Sequence, residues 1–200
     1  MSRKIIIHLL ALLFLAIVAV AFIHFLEFHE KRASHFGWIP SDPIGELLPS
    51  ADVSYPIFSI TYGSLILYAV ISFNTEFFVP RLMLAYAFIL LFRFLTLTLV
   101  PFKAPTSYVF LEDPFLNELI YPGHIRNDLF FSGHTALVFA IFILSEKRWL
   151  FLFFALLTGI LVMVQRVHYS YDVLAAFPFA WLAAKLADRI ISCVYKGDNV

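Results

Sequence analysis

Two histidines lie in strongly apolar stretches of the sequence. His134 follows a Ser-Gly pair in "NDLFFSGHTA", and His168 lies in "RVHYSYDV", four residues before Asp172. Inserting an ionisable residue into a membrane segment costs free energy, so such a residue is a candidate for function. If the second stretch is helical, Asp172 lies on the same face as His168 and can orient one imidazole nitrogen. The other nitrogen is then free to attack phosphorus, while His134 donates a proton to the leaving oxygen.

Basic and small residues near the histidines suit the binding of a phosphate group. Arg93 and Arg166 carry planar guanidinium groups, which hold phosphate oxygens through paired hydrogen bonds. The Ser-Gly pair offers a hydroxyl, backbone N–H groups at a helix start, and room for close approach. The predicted phosphate-binding residues are Arg93, Lys103, Asp128, Ser132, Gly133 and Arg166. Because arginines supply the positive charge, we predict a site without a metal or another cofactor.

The composition is typical of a membrane protein. Hydrophobic residues make up 62% of the 200 residues, whereas soluble domains are about 45–50% apolar. The net charge of +0 gives no indication of nucleic-acid binding. The single cysteine, Cys193, excludes an internal disulfide. Because the sequence contains no linker or repeat, residues 1–200 are predicted to form one membrane-embedded domain.

Six stretches approach the length of about 20 apolar residues that a transmembrane helix needs. They cover residues 5–28, 55–73, 82–100, 128–144, 149–167 and 171–194. The first follows Arg3 and Lys4 but is too long for a signal peptide, so it is predicted to be a retained anchor. Pro178 is expected to kink the last one. The predicted fold is therefore all-α, a bundle of six transmembrane helices with two long loops, 29–54 and 101–127.

The order of the spans places both histidine motifs on one side of the membrane, because the loops after the first, third and fifth spans share a side. The opposite side carries Arg3, Lys4, Arg81, Lys147, Arg148, Lys185, Arg189 and Lys196. The histidine side carries Lys31, Arg32, Lys103 and Arg126, with Arg93 and Arg166 near it. Since cytoplasmic loops are richer in lysine and arginine, both termini are predicted to be cytoplasmic and the site exoplasmic.

Each site residue also has a purely structural explanation. Arg93 and Arg166 could extend their charged ends to the membrane surface. Ser132 could serve only as a helix N-cap, and His168 with Asp172 could be a structural pair. We favour a functional site because the predicted topology brings all of these residues to one side of the membrane.

Three motifs resemble those of a known superfamily. "SGHT" and "HYSYDV" are similar to two signatures of the PAP2 superfamily of lipid phosphatases. "RFLTLTLVPFKAP" and "NDLFFSGHT" are similar to motifs of its sphingomyelin synthase-like branch. The resemblance implies a PAP2-like bundle in which His168 forms a phosphohistidine, Asp172 orients it, and His134 acts as acid and base. The branch typically has "CGD" and "HYT" where this chain has "RND" and "HYS", which bears on the substrate.

The resemblance implies a lipid phosphotransferase. It would move phosphocholine, phosphoethanolamine or a similar head group from a glycerophospholipid to ceramide or a similar lipid alcohol, with release of diacylglycerol. The alternative is a PAP2-type phosphatase that uses water as the acceptor. The short N-terminus differs from that of animal synthases and favours a bacterial inner-membrane protein. The expected partners are lipid substrates and the membrane, and a homo-oligomer is compatible with the sequence.

Two further classes of protein are less favoured, a haem protein and a non-catalytic scaffold or transporter. A haem protein would need paired axial ligands at one depth, but His8 and His24 lie at opposite ends of one span. A non-catalytic scaffold or transporter would not need His168.

Three acidic residues on the histidine side have an open role. They either attract a cationic amine or form a solvated loop; they are Glu112, Asp113 and Glu118.

Overall fold

Helices provide the regular structure of the chain. The computed structural model describes residues 3–113, 125–145 and 148–196. Its helices are α1 (Arg3–Phe36), α2 (Pro43–Glu46), α3 (Ser54–Ser72), α4 (Phe78–Leu99), α5 (Gly133–Leu144), α6 (Arg148–Val164) and α7 (Ser170–Lys196). In these described ranges there is no β-strand, only a single bridge between Trp38 and Phe102. The all-α prediction is confirmed for this part of the chain.

Three of these helices, α1, α3 and α4, are long and apolar enough to cross a membrane. Helix α5 has 12 residues and is about 18 Å long at 1.5 Å per residue, short of a hydrocarbon core of about 30 Å. Helix α6 has 17 residues. Helix α7 has 27 but carries Asp172, Lys185, Asp188 and Arg189. Integration into a membrane therefore rests on three helices, whereas the sequence predicts six spans.

Two helix boundaries near the predicted site differ from the predicted spans. Helix α1 continues to Phe36, although a loop is predicted from residue 29, because the polar residues that follow are good helix formers without proline or glycine. Helix α5 begins at Gly133 rather than at residue 128, because the Ser132 side chain caps it. Both errors arise because a hydropathy pattern marks where apolar residues lie and not where a helix ends.

Helix α5 lies at the centre of the bundle and packs on α3, α4, α6 and α7. Helix α4 also packs on α1 and α7. The inward face of α7 is a row of fully buried alanines: Ala176, Ala180, Ala183, Ala184 and Ala187. Small side chains allow helices to approach closely in a membrane, where packing rather than water drives their association. The row therefore holds α7, whose first residue Ser170 lies two positions after His168, against α4 and α5.

The outward face of α1 is strongly apolar. Its exposed large side chains include Leu9, Leu12, Leu13, Ile17 and Val20. Contiguous apolar surface of this kind marks a membrane or protein contact. Together with its length, this surface is what a lipid-facing helix requires.

Candidate active site

A cavity of about 1000 Å³ lies between α1, α3, α4 and α5. Residues 108–113 and 125–128 contribute to its wall. Five of the predicted site residues line it: Arg93, Asp128, Gly133, His134 and His168. The structure therefore brings the two histidine segments to a common cavity.

His168 and Asp172 are in direct contact. His168 Nδ1 lies 3.2 Å from Asp172 Oδ2, and the same oxygen accepts the Tyr169 N–H at 3.0 Å. His168 is 7% exposed and Asp172 is fully buried. A helical segment would have placed both residues on one helix face. Helix α7 begins only at Ser170, so His168 precedes the helix and Asp172 contacts it from the first turn. When Nδ1 carries the proton and donates it to the carboxylate, Nε2 keeps its lone pair.

Arg93 is a buried arginine within a candidate membrane span, 3% exposed. Its guanidinium donates to the Asp128 carboxylate and to the Phe131 carbonyl. It also lies 5.7 Å from the centroid of the Phe22 ring, within range of a cation–π interaction. A Cβ on Gly133 would lie only 3.2 Å from a guanidinium nitrogen, so glycine allows the arginine to approach the start of α5. Arg93 therefore holds its charge on the cavity wall and does not extend to the surface.

His134 lies in the first turn of α5 and is half-buried. Its ring meets the Phe58 ring edge-on, with centroids 5.3 Å apart. Phe58 belongs to α3 and lines the same cavity. This edge-on contact packs the imidazole against the aromatic wall of the cavity.

Ser132 lies outside the cavity lining and caps α5. Its hydroxyl accepts the Thr135 N–H at 3.4 Å and lies 3.0 Å from the Thr135 hydroxyl. Its own N–H donates to the Asp172 carbonyl at 3.1 Å. Ser132 is fully buried. It joins the starts of α5 and α7 and serves as an N-cap. Phosphate binding by Ser132 stays a prediction.

Arg166 and Lys103 are not among the residues that line the cavity. The Arg166 guanidinium donates to the carbonyls of Gly45 and Leu48, each at 2.6 Å. Its backbone has φ 60°, a conformation that is uncommon for residues other than glycine. The Lys103 carbonyl accepts the Tyr169 hydroxyl at 2.8 Å. The Arg166 side chain therefore holds the segment around Gly45, and the backbone of Lys103 holds Tyr169. Phosphate binding by either residue stays a prediction.

Arg126 is a cavity-lining arginine that sequence reasoning counted only for topology. Its guanidinium lies 5.9 Å from the centroid of the Tyr108 ring, and the backbone N–H of Arg126 donates to the Glu30 carboxylate at 3.0 Å. Burial raises the pKa of Tyr108 to about 12, so this phenol stays protonated at neutral pH. In the sequence, a role for Arg126 at the site was indicated only by its position two residues before Asp128, in the segment that leads to His134.

Two of the three acidic residues with an open role line the cavity. Asp113 accepts the Tyr62 hydroxyl at 2.7 Å. Glu112 is exposed, and its N–H donates to the Ser54 hydroxyl at 3.2 Å. Glu118 lies outside the described residues. The described acidic pair gives one edge of the cavity a negative charge next to aromatic rings.

Gln165 joins the two long loops beside the cavity. Its side chain is fully buried and donates to Asp52 at 3.1 Å, to the Ser54 hydroxyl at 3.0 Å and to the Phe110 carbonyl at 2.8 Å. Hydrogen bonds from the Ser54 N–H, the Ser54 hydroxyl and Gln165 hold the pKa of Asp52 below its usual value. Gln165 thereby fixes the segment that carries Glu112 relative to the start of α3.

Asp42 is a buried carboxylate near His168 that no sequence pattern indicated. It accepts the Ser170 N–H at 2.7 Å, the Ser170 hydroxyl at 2.6 Å and the Gly45 N–H at 3.0 Å. Burial raises the pKa of Asp42, but these hydrogen bonds and the Arg166 guanidinium outweigh it and hold the pKa below its usual value. The charged carboxylate thus holds the first residue of α7, two positions after His168.

Asp42→Asn is expected to lower the free energy of unfolding at pH 7 by about 1–3 kcal/mol, because it weakens charge-assisted hydrogen bonds. A carboxyl whose pKa is lower in the folded chain stabilises it fully above the unfolded pKa of about 3.9 and loses this effect as pH falls through the folded pKa. The difference between wild type and variant should therefore shrink near pH 3. Thermal unfolding in detergent at both pH values measures it.

The matched control for Asp42 is Glu27→Gln, which changes an exposed acidic residue on α1. We expect this control to unfold as the wild type does at both pH values. An Asp42→Asn variant that matches the control at pH 7 would show that the carboxylate does not stabilise the start of α7.

No known protein family, curated protein or solved structure matches the chain. In the described part of the chain, no group of three or more His, Cys, Asp or Glu side chains is arranged to hold a metal ion. The functional argument therefore depends on the geometry of the cavity and on the motifs in the sequence.

Proposed function

We propose that the protein is a lipid phosphotransferase of the sphingomyelin synthase-like type, working through a phosphohistidine at His168. It transfers a phospho-head group, such as phosphocholine or phosphoethanolamine, from a glycerophospholipid to ceramide or a similar lipid alcohol. One observation carries the proposal. A single cavity combines the carboxylate-held His168, His134 and the buried Arg93 with a largely apolar lining.

In the first half-reaction, His168 Nε2 attacks the phosphorus of the glycerophospholipid. The new P–N bond forms as the P–O bond to the glycerol oxygen breaks. His134, in its protonated form, donates a proton to that oxygen, and diacylglycerol leaves. Asp172 accepts a hydrogen bond from Nδ1–H, which stabilises the positive charge that develops on the ring.

In the second half-reaction, His134, now neutral, accepts the proton from the hydroxyl of the acceptor lipid. The acceptor oxygen attacks phosphorus as the P–N bond breaks, so both histidines return to their starting states. The transfer needs a lipid alcohol to reach the intermediate before water does. Apolar walls favour this order because they exclude water from the reacting groups.

Arg93 and Arg126 supply positive charge for the phosphate oxygens. Arg93 is fixed by Asp128 and Phe131, so its guanidinium needs little reorganisation as charge develops on phosphorus. Arg126 is exposed and suits contact with the substrate at the cavity mouth. This pair replaces the predicted pair of Arg93 and Arg166.

The remaining lining of the cavity suits an acyl chain. It consists mainly of Leu15, Ala19, Phe22, Ile23, Leu65, Leu82, Met83, Ile89 and Leu90. Along α4 the lining extends from Arg93 to Leu82, which is about 16 Å at 1.5 Å per residue. One leaflet of the hydrocarbon core is about 15 Å thick. A phospholipid with its phosphate at Arg93 would therefore keep the orientation that it has in its own leaflet.

The acidic edge of the cavity suits a head group with a cationic amine. Glu112 and Asp113 provide negative charge, and the rings of Tyr62 and Tyr108 also line the cavity. An ammonium group is attracted both to carboxylates and to the faces of aromatic rings. The edge therefore favours choline or ethanolamine over a neutral head group.

The proposed topology has six spans, with both termini in the cytoplasm and the cavity mouth on the exoplasmic side. Helices α5, α6 and α7 would then cross together with the extended residues next to them. The distribution of lysine and arginine between the two sides supports this orientation. A bacterial inner membrane is the location that we favour.

The test uses purified protein in lipid nanodiscs and phosphatidylcholine labelled with ³²P in the head group, with and without ceramide. We expect a base-stable, acid-labile label on His168 and, with ceramide present, transfer of the label to a ceramide product with release of diacylglycerol. Mass spectrometry of base-quenched peptides maps the labelled residue.

Two results would contradict the proposal. A label on a residue other than His168 would overturn the mechanism. Head-group release at a rate that ceramide does not change, without a labelled ceramide product, would make water the acceptor and the protein a phosphatase of the PAP2 type.

A further inference from the structure

The segment around α2 has two opposite faces. Asp42 and Gly45 are buried, whereas Ile44 is 56% exposed and Leu47 is 85% exposed. The two exposed residues are three positions apart and therefore share a face of the helical turn. The outward face of the segment is thus apolar, the reverse of a surface that faces water.

The neighbouring residues extend this apolar surface. Phe36 is 79% exposed, Trp38 50% and Ile39 52%. Tyr171 is 44% exposed, and its hydroxyl donates to the Ser41 carbonyl at 3.0 Å. Tryptophan and tyrosine are enriched where a bilayer meets water, because one end of each ring system is apolar and the other polar.

We propose that the segment from Phe36 to Leu47 is a membrane-interface anchor. Its apolar side chains lie among the head groups and the upper acyl chains of a lipid bilayer, on the side that holds His168. The anchor residues are Phe36, Trp38, Ile39, Ile44 and Leu47.

A bilayer is the occupant that the surroundings indicate. The anchor begins at Phe36, where α1 ends, and α1 itself exposes apolar side chains along its length, with Phe28 63% exposed. The polar groups of the inner face are already bonded to protein, since Ser170 bonds the Asp42 carboxylate and Arg166 bonds the Gly45 carbonyl. The segment can therefore enter the interface without leaving these groups unpaired.

The anchor is joined to the chain on both sides of His168. Arg166 bonds the carbonyls of Gly45 and Leu48, and Ser170 bonds Asp42. The depth of the anchor in the bilayer then determines the height of His168 relative to the lipid phosphates. This consequence rests on the proposed transferase function, whereas the anchor itself does not.

The experiment places a nitroxide label at single cysteines in a Cys193→Ser background, in phosphatidylcholine vesicles. Leu47→Cys reports the anchor. Glu46→Cys, an exposed position outside the apolar face, is the water-facing control, and Leu13→Cys on α1 is the deep control. We expect the ratio of oxygen to nickel-chelate accessibility at position 47 to be severalfold higher than at 46 and lower than at 13. A ratio at position 47 equal to that at 46 would overturn the anchor.

A second measurement uses the native Trp38 and so avoids labels that could disturb folding. In a Trp149→Phe, Trp181→Phe variant, lipids brominated near the head group should quench Trp38 fluorescence more than lipids brominated near the chain end. Absence of quenching by either lipid would overturn the anchor. Neither measurement uses catalysis, so failure of the transferase proposal and failure of the anchor are separate results.

Discussion

His168→Gln is expected to abolish the phosphoenzyme and to lower the rate of head-group transfer by about 10³-fold or more, because it removes the nucleophile. Glutamine keeps a side-chain amide that can donate to Asp172, so the contact that orients position 168 at 3.2 Å has a substitute. The loss should therefore appear in the chemical step without a large change in thermal unfolding. Transfer of ³²P from labelled phosphatidylcholine measures both the intermediate and the product.

The matched control for this variant is His24→Gln, an exposed histidine on α1, which should keep the wild-type rate. Asp172→Asn provides a second test, because its amide can donate to Nδ1 and force the proton onto Nε2, where it blocks attack. A loss of about 10⁴-fold accompanies the same tautomer change in a serine protease, and a loss of that order is expected here. A phosphoenzyme formed at the wild-type rate by His168→Gln would exclude His168 as the nucleophile.

Arg93→Leu is expected to lower the free energy of unfolding by about 3 kcal/mol, the lower end of the range for breaking a buried ion pair. The lower end applies because the Asp128 side chain is 31% exposed and water can partly replace the arginine. The Phe131 carbonyl also loses its donor. Thermal unfolding in detergent measures the stability, and ³²P transfer measures the activity.

Two comparisons separate the structural and functional parts of this effect. The double variant Arg93→Leu, Asp128→Leu removes both charges, so we expect it to recover most of the stability but none of the transfer activity. Arg81→Leu is the matched control on α4, since Arg81 pairs with Asp188 at 3.5 Å with both side chains partly exposed. A surface pair of this kind contributes at most about 1 kcal/mol. Equal losses for Arg93→Leu and Arg81→Leu would show that the buried pair has no special role.

The sequence predicted the helices whose ends coincide with the ends of apolar runs. The predicted spans 55–73 and 171–194 lie within a residue or two of Ser54–Ser72 and Ser170–Lys196. The order of the apolar stretches also predicted that the two histidine segments would come together, and His134 and His168 line one cavity. These inferences succeed because they depend on length and order, which hydropathy records.

The sequence did not predict individual contacts between residues that are far apart in the chain. Nothing local to Asp42 indicates that it holds Ser170, because the two residues are far apart in the chain and no repeated spacing links them. Arg126 and Arg166 are chemically identical, and only the fold places the first on the cavity and the second on loop carbonyls. Spacing in the sequence indicates which residues act together within one helix or loop. The roles of residues that meet only through the fold follow from the three-dimensional structure.

The alanine row of α7 has a consequence for which substitutions the chain can tolerate. At exposed positions such as Leu174, which is 61% exposed, one apolar side chain can replace another because no neighbouring helix encloses it. At Ala176 and Ala180 even a conservative change to leucine would push α7 away from its neighbours, because packed interiors have no room for added carbons. The buried row should therefore be far less variable than the exposed face of the same helix, although it carries no chemical group that takes part in a reaction.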